Sequence, residues 1–516
     1  MAWSQTINLL AITAWYIVSN RECRVNAQGS SAIATTATTT ITTTTAATVS
    51  ATACSSTIAP RYTPLVASGY SVQVVASGLS APRGIIFDSE GHLLVVQQGY
   101  GISSLNLTDD GGACVRAGEP TDVIRDDAFN HGIELSSDGK TLYASSPAAV
   151  YSWDYDVSTT RNSSGPHELI GQMGDADGHV TRTLLLSRQV PGMLIVSRGS
   201  LSNLDPSALD ISTGVSTIKA FNISNVTSTP YIFAQDGLLL GWGLRNSVGV
   251  GEDPATGAIY SVENSVDDFT RQGQNIHQNN PGEEMNFHGY LNGTTVPEQG
   301  GNYGYPSCYA AWDVSSIPDN DGNIQLGTQF AIGDLNSTLN DTFCRENHVA
   351  PRLTFPAHTA PLDIKFNSNG SAAWVTFHGS WDRDDPIGYK LSVIPFSSNS
   401  SSSGPTAAST SNSSTVDILT NPDLSKCPDQ CVRPVGLAWD SQGRLFMSSD
   451  ATGEIFVVVR NDGGSVNDAS PTTGLPPTST GAAPARSSTA AAVRHFVPGK
   501  EKFAALVAFF MALPLA

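Results

Sequence analysis

The chain is short of basic residues. Among its 516 residues, 27 Lys and Arg stand against 46 Asp and Glu, a formal charge of −19. A surface of that sign repels phosphate backbones and excludes nucleic acid as a partner. Long hydrophobic runs are missing as well. The apolar stretches from Ile7 to Val18 and from Phe503 to Ala516 both fall short of the roughly 20 residues that a spanning helix needs. No long segment carries a convincing helical hydrophobic period, which argues against an all-helical fold. Cysteine is sparse, at seven.

What is present at the two ends reads as targeting. Residues 1–27 hold a short apolar run followed by small residues near Ala27, the pattern of a secretory signal peptide. Cys23 would leave with it, so six cysteines remain, an even number suited to an oxidising compartment. Cys427 and Cys431 are close enough to pair within one loop, with a CxxxC metal site as the alternative. Cys308 with Cys344 and Cys54 with Cys114 are further pairings, and spacing alone does not fix the connectivity. Ten Asn-x-Ser/Thr sequons lie between Asn106 and Asn412. At the C-terminus, small residues around Ser487 to Ala492, a polar spacer and an apolar tail follow the order of a glycosylphosphatidylinositol (GPI) attachment signal, with 496–516 as tail. Together these predict a secreted glycoprotein, anchored to the cell surface by lipid. Residues 28–60 are Ser, Thr and Ala rich, and 464–495 Ser, Thr and Pro rich. Both read as disordered linker or stalk, leaving a folded body over 61–463.

Inside that body one unit recurs six times: a polar opening residue, an alternating apolar strand, a turn and a second strand. The units open at Pro82-Arg83-Gly84, Asn130-His131-Gly132, His179-Val180, Arg245-Asn246, Pro361-Leu362 and Arg433-Pro434. Four carry a turn glycine, at Gly91, Gly139, Gly370 and Gly443. Radial repetition of such hairpins predicts an all-β, six-bladed β-propeller rather than a β-sandwich. In a propeller, the residues heading the innermost strands converge on one mouth of the axial channel. Those heads are Arg83, His131, His179, Arg245, His358 and Arg433, joined by Gln97, Arg198, Glu263 and His378 just past the second strands. A cationic and imidazole ring within an acidic protein predicts a pocket for a compact polyanion.

The stretches "RGIIFDSEGHLLVVQQ", "NHGIELSSDGKTLYAS", "GLRNSVGVGEDPATGAIYSVENSVDDF", "PGEEMNF", "FHGSWDR" and "RPVGLAWDSQGRLF" resemble the soluble pyrroloquinoline-quinone-dependent sugar dehydrogenases, including the sorbosone-dehydrogenase-like and fungal pyranose-dehydrogenase branches. The resemblance covers roughly residues 65 to 460. It implies pyrroloquinoline quinone and Ca2+ as cofactors, His179 as catalytic base, and Arg245 with Asn246 at the quinone and its carboxylates. It also implies cofactor contacts from Arg83, His131, Arg198, His378, Trp381, Arg383 and Arg433. In "FHGSWDR" this chain has Asp382 where the branch usually has Asn. Backbone carbonyls at Ser265 and Val266 are the implied calcium ligands, with Glu284 as an acidic group in the same loop. The implied reaction is oxidation of the anomeric or adjacent hydroxyl of a pyranose by hydride transfer. Electrons would then pass to an external cytochrome or copper oxidase. His92, His167, His277 and His288 follow no pattern and read as surface or structural. Two rival readings remain at this stage: a calcium-dependent lactonase-type propeller and a non-catalytic carbohydrate-binding propeller.

Overall fold

The structure, a computed structural model, describes residues 54, 57–174, 178–226, 228–397, 404–471 and 474. The predicted signal peptide, most of the linker, most of the stalk and the C-terminal tail lie outside the described residues.

The chain forms a six-bladed β-propeller, and each predicted opening unit supplies an innermost strand. These are Pro82–Phe87, Ile133–Leu135, Leu184–Leu186, Ser247–Glu252, Pro361–Phe366 and Pro434–Trp439. Each inner strand packs against the next, and the sixth packs against the first, so the ring closes. The four turn glycines take positive φ, between 69° and 85°, as the hairpins require. Strand Tyr70–Ala76 closes the sixth blade as its outermost strand, pairing antiparallel with Glu454–Arg460. N- and C-terminal parts of the body thereby lock into one sheet. Six apolar clusters lie between successive blades. Leu94, Phe129 and Trp153 join the first blade to the second, and Trp374, Leu437 and Phe456 join the fifth to the sixth.

Glycine at the heads of the inner strands has a packing cause. A Cβ on Gly84 would sit 2.0 Å from the His131 carbonyl, one on Gly132 2.2 Å from that of Arg182, and one on Gly436 2.2 Å from that of Arg83. Neighbouring inner strands can approach so closely only where a side chain is missing. Hydroxyls reinforce the contact: Ser448 Oγ donates to the Arg83 carbonyl at 2.7 Å and Thr376 Oγ1 to that of Val435 at 2.6 Å. Gly84→Ala is therefore expected to force the first two blades apart and lower stability by about 1–3 kcal/mol, the usual range for overpacking. Denaturant titration checks this; Gly165→Ala, at an open position without positive φ, is the control for the loss of glycine's chain entropy.

The fourth blade carries the long excursions that shape one mouth. Residues 264–282 and 291–352 build an apolar annex around Phe269, Tyr305, Tyr309 and Phe330. A buried bidentate pair holds it, with Arg271 Nη1 and Nη2 at 2.6 and 2.8 Å from the Asp341 carboxylate. The only α-helix among the described residues, Asp341–Asn347, is tied there by the Cys308–Cys344 disulfide. Cys54 pairs with Cys114 and Cys427 with Cys431, so the metal alternative for the last two is displaced by a disulfide.

Composition misplaced the end of the folded body. Residues just past 463 are not stalk: Val466 is buried in the cluster between the fifth and sixth blades. The Ser368 amide donates to the Asn467 carbonyl at 3.0 Å and the Asn467 amide to the Gly443 carbonyl at 3.0 Å.

Candidate active site

The heads of the inner strands meet at one mouth in a cavity of about 200 Å3. His179, Arg245, Asn246, Ser265, His358, His378, Trp381 and Arg433 line it. Val248, Leu362 and Val435 form an apolar cluster where the fourth, fifth and sixth inner strands meet, and Leu362 also lines the cavity. A wider depression of about 580 Å3 opens at the opposite mouth, around Phe87, Glu134, Arg188 and Trp439. The chemistry is not there, because the strand heads with the converging imidazoles and guanidiniums lie at the other end.

His179 is held in one tautomer. Its Nδ1 lies 2.8 Å from Ser200 Oγ and 3.2 Å from the Ser200 carbonyl. The Ser200 hydroxyl donates to the Ser202 carbonyl at 2.7 Å, so it accepts from the ring. Nδ1 therefore carries the proton and Nε2 the lone pair, and Nε2 has no hydrogen-bond partner among the described residues. Burial and the nearby Arg245 charge push the imidazole down to about 4, so it is neutral near pH 7. Gly199 leaves the room: a Cβ there would stand 2.7 Å from the His179 Cβ.

Arg245 is spoken for. Nε donates to the Asn203 carbonyl at 3.2 Å, Nη1 to the carbonyls of Ser265 and Asn264, and Nη2 to Asn203 Oδ1 and Asp267 Oδ2 at 2.7 and 2.8 Å. All five donors of a guanidinium are used. Arg245 thus clamps the loop after strand Ala258–Glu263 and has no free fork for a ligand carboxylate. Arg433 differs: Nε and Nη2 donate to the His378 and Gly379 carbonyls, both at 3.1 Å, and Nη1 has no acceptor among the described residues. Arg83 sits one step back, with Nη1 2.9 Å from Asp450 Oδ2, while Asp450 Oδ1 lies 2.8 Å from His378 Nε2. Burial opposes ionisation of Asp450, but His378 and Arg83 outweigh it and hold its carboxyl below the usual range.

An acidic side faces this cationic one. Glu283 Oε2 accepts from the Ser265 amide at 2.5 Å and Oε1 from the Ala360 amide at 3.3 Å. Burial pushes Glu283 up to about 7, with His358 opposing. Glu263 accepts from the Arg245 amide at 2.5 Å, and burial, then the adjacent Glu284, raises it. His358 takes φ of +65° and donates through Nε2 to the His277 carbonyl at 2.7 Å. Burial works against its protonation, but Asp267 and Glu283 outweigh that and raise it.

A carboxyl raised from 4.5 to about 7 binds more protons folded than unfolded across that window. Stability then falls as pH rises through it. In cofactor-free protein, Glu283→Gln is expected to flatten part of the decline in Tm between pH 4.5 and 7. A slope unchanged by the substitution would contradict the assignment.

Several sequence expectations land elsewhere. Arg383 does not line the cavity; it donates to the carbonyls of Gln278 and Asp385. Arg198 is buried and donates to the Thr213 carbonyl at 3.0 Å, outside the lining. His131 is buried just behind, held well below its ordinary value by burial and by Arg83. Glu284 is not in a loop: it lies in strand Glu283–Tyr290 and bonds Asn286, Gln329 and the Ala310 amide. The strand alternates, so its neighbour Glu283 is the one at the cavity. Val266 puts its side chain into the annex core, while Ser265 lines the cavity. The His277 ring stands 6.1 Å from that of His358, and its carbonyl accepts from His358 Nε2, a structural contact. Trp381, 66 % exposed, stands at the rim.

A family profile described as TrAA12-like matches residues 64–461, the whole propeller. The chain belongs to the TrAA12-like family. A relative from Hypocrea jecorina named pyrroloquinoline quinone-dependent sugar dehydrogenase is 48 % identical over 398 residues, 77 % of this chain and 89 % of the relative. A Coprinopsis cinerea protein named pyrroloquinoline quinone-dependent pyranose dehydrogenase is 37 % identical over 425 residues; the alignment takes in 80 % of this chain but 56 % of that longer protein. A calcium structure of the Trichoderma reesei family AA12 enzyme superposes with a TM-score of 0.75 at 47 % identity, over 79 % of this TrAA12-like chain and all of the other. The holo pyranose dehydrogenase quinone domain of Coprinopsis cinerea gives a TM-score of 0.73 at 37 % identity, covering 79 % of this chain and 99 % of that one.

Proposed function

We propose that this chain is a pyrroloquinoline-quinone-dependent sugar dehydrogenase, oxidising the anomeric or adjacent hydroxyl of a pyranose at the cavity lined by His179. The observation that carries the reading is a neutral imidazole with its Nε2 lone pair unpartnered among the described residues, set opposite guanidinium N–H groups that those residues leave unused. The donor chemistry suits a tricarboxylated ring, because Arg433 Nη1 and, one step back, Arg83 Nε and Nη2 have no acceptor among the described residues. Arg245 would act by holding the loop, not by gripping a carboxylate. Calcium is suited by the Ser265 carbonyl, which keeps a lone pair beyond its bond from Arg245, and by the buried Glu283 carboxylate beside it.

Pyrroloquinoline quinone, when bound, supplies the acceptor for the hydride that leaves the sugar carbon. His179 Nε2 takes the hydroxyl proton as that hydride departs, and the resulting imidazolium is stabilised by Nδ1–H donating to Ser200. Trp381 offers an apolar face at the rim for a pyranose. The apolar cluster of Val248, Leu362 and Val435 keeps the cavity from opening freely through the channel. The electron acceptor is proposed to be an external cytochrome or copper oxidase. Secretion and glycosylation fit the sequons, none of which is buried among the described residues.

The test is reconstitution of purified protein with quinone and Ca2+, followed by dye reduction with a panel of aldoses. Sugar-dependent reduction only in the reconstituted protein is expected. Lactone hydrolysis without quinone, or sugar binding with no dye reduction, would instead favour the hydrolase or the lectin-like reading.

A further inference from the structure

Beside the cavity, three side chains from separate loops turn one ligand atom each towards a common point. Asp267, His358 and Asp382 bring a carboxylate oxygen, Nδ1 and a carboxylate oxygen within 4.8 Å of one another. Each has its other polar atom already fastened. Asp267 Oδ2 accepts from Arg245 Nη2 at 2.8 Å. His358 Nε2 donates to the His277 carbonyl at 2.7 Å, which leaves Nδ1 to face the cluster. Asp382 Oδ2 accepts from the Asp268 amide at 3.1 Å. Fastening the rear atom of each ligand is how proteins aim ligands at a metal.

The spacing agrees. Two ligands about 2.1 Å from an ion at a tetrahedral angle stand roughly 3.4 Å apart. His358 Nδ1 lies 3.6 Å from Asp267 Oδ1, longer than a hydrogen bond between them would be. His277 Nε2, 3.9 Å from Asp382 Oδ1, is already bonded to Gln278 Nε2 at 3.0 Å, so three protein ligands face the common point.

We propose that Asp267, His358 and Asp382 form a three-ligand binding site for a divalent transition-metal ion at the cavity rim, with water completing the coordination. Mixed imidazole and carboxylate donors select ions such as Zn2+, Co2+ or Cu2+ over Ca2+, whose ligands are oxygens alone. The ion would cross-link the loops that carry Asp267, His358 and Asp382. The inference does not depend on quinone chemistry, and its test contains neither quinone nor sugar.

The full-length protein, stripped with chelator, is titrated with Co2+ and followed by visible absorption and thermal unfolding. Expected are one ion per chain, a visible ligand-field band and a rise in Tm of several degrees on loading. Asp382→Asn should weaken binding roughly tenfold or more while leaving the Tm of the stripped protein unchanged. Absence of a band at millimolar Co2+, equal affinity in wild type and Asp382→Asn, or displacement of Co2+ by equimolar Ca2+ would each overturn the proposal. Failure of dye reduction in the reconstituted enzyme would leave it standing.

Discussion

His179→Gln is expected to lower kcat by about 10²–10⁴-fold, the usual contribution of a positioned general base. Quinone affinity should stay close to that of wild type. Gln keeps a polar side chain near Ser200 but offers no basic lone pair at the Nε2 position. The wild-type pH profile gives an independent check. Burial and Arg245 hold the imidazole near 4 in the cofactor-free protein, so the base stays competent at pH 7. Activity should fall only as pH drops through that region, because protonation removes the lone pair. Steady-state kinetics from pH 3.5 to 8 measures both. A variant retaining wild-type kcat would remove His179 from the reaction.

Arg245→Met is the second large effect, and it is one of stability. The guanidinium is buried and serves Asn203, Asn264, Ser265 and Asp267. Its removal leaves the Asp267 carboxylate with His358 as its remaining cationic partner and Asn203 Oδ1 with the Asp267 amide as its remaining donor. Breaking a buried ion pair from one side costs about 3–5 kcal/mol. Thermal unfolding should show Tm lowered by several degrees, with loss of activity because the loop carrying Ser265 is released. Arg433→Met should do the reverse: its bonds go to two carbonyls only, so Tm changes little while quinone affinity falls. If the two variants exchanged behaviour, the division of labour between clamp and ligand would be wrong.

The blades were legible because an alternating strand recurs in all six units and a second, independent constraint coincides with it in three. The alternating apolar positions mark a strand, and glycine at Gly84, Gly132 and Gly436 marks the close approach of its neighbour. The cationic heads were legible for the same reason, since position in the unit fixes position on the axis. Of the acidic half, only Glu263 was placed by the same rule. Asp450 directly follows the second strand of the sixth blade, as His378 does in the fifth, so extending the same positional rule would have found it. Glu283 and Glu284 could not be separated, because choosing between adjacent residues requires knowing which face of the strand meets the channel. Arg245 was read as a ligand because nothing in the sequence shows that Asn203, 42 residues away, would take up its donors. The buried C-terminal segment around Val466 was hidden by a composition matching that of the stalk beyond it.

The most direct measurement is a single turnover without oxygen. Quinone- and calcium-loaded protein is mixed with an excess of an oxidisable aldopyranose, with no external acceptor, and the cofactor absorbance is followed while the oxidised sugar is quantified. One oxidised sugar per bound quinone (lactone from the anomeric hydroxyl, keto sugar from the adjacent one), with bleaching at a rate that His179→Gln lowers at least a hundredfold, is what a base-assisted hydride transfer in this cavity predicts. An unchanged cofactor spectrum with every aldose tried, or equal bleaching rates in wild type and variant, would contradict it.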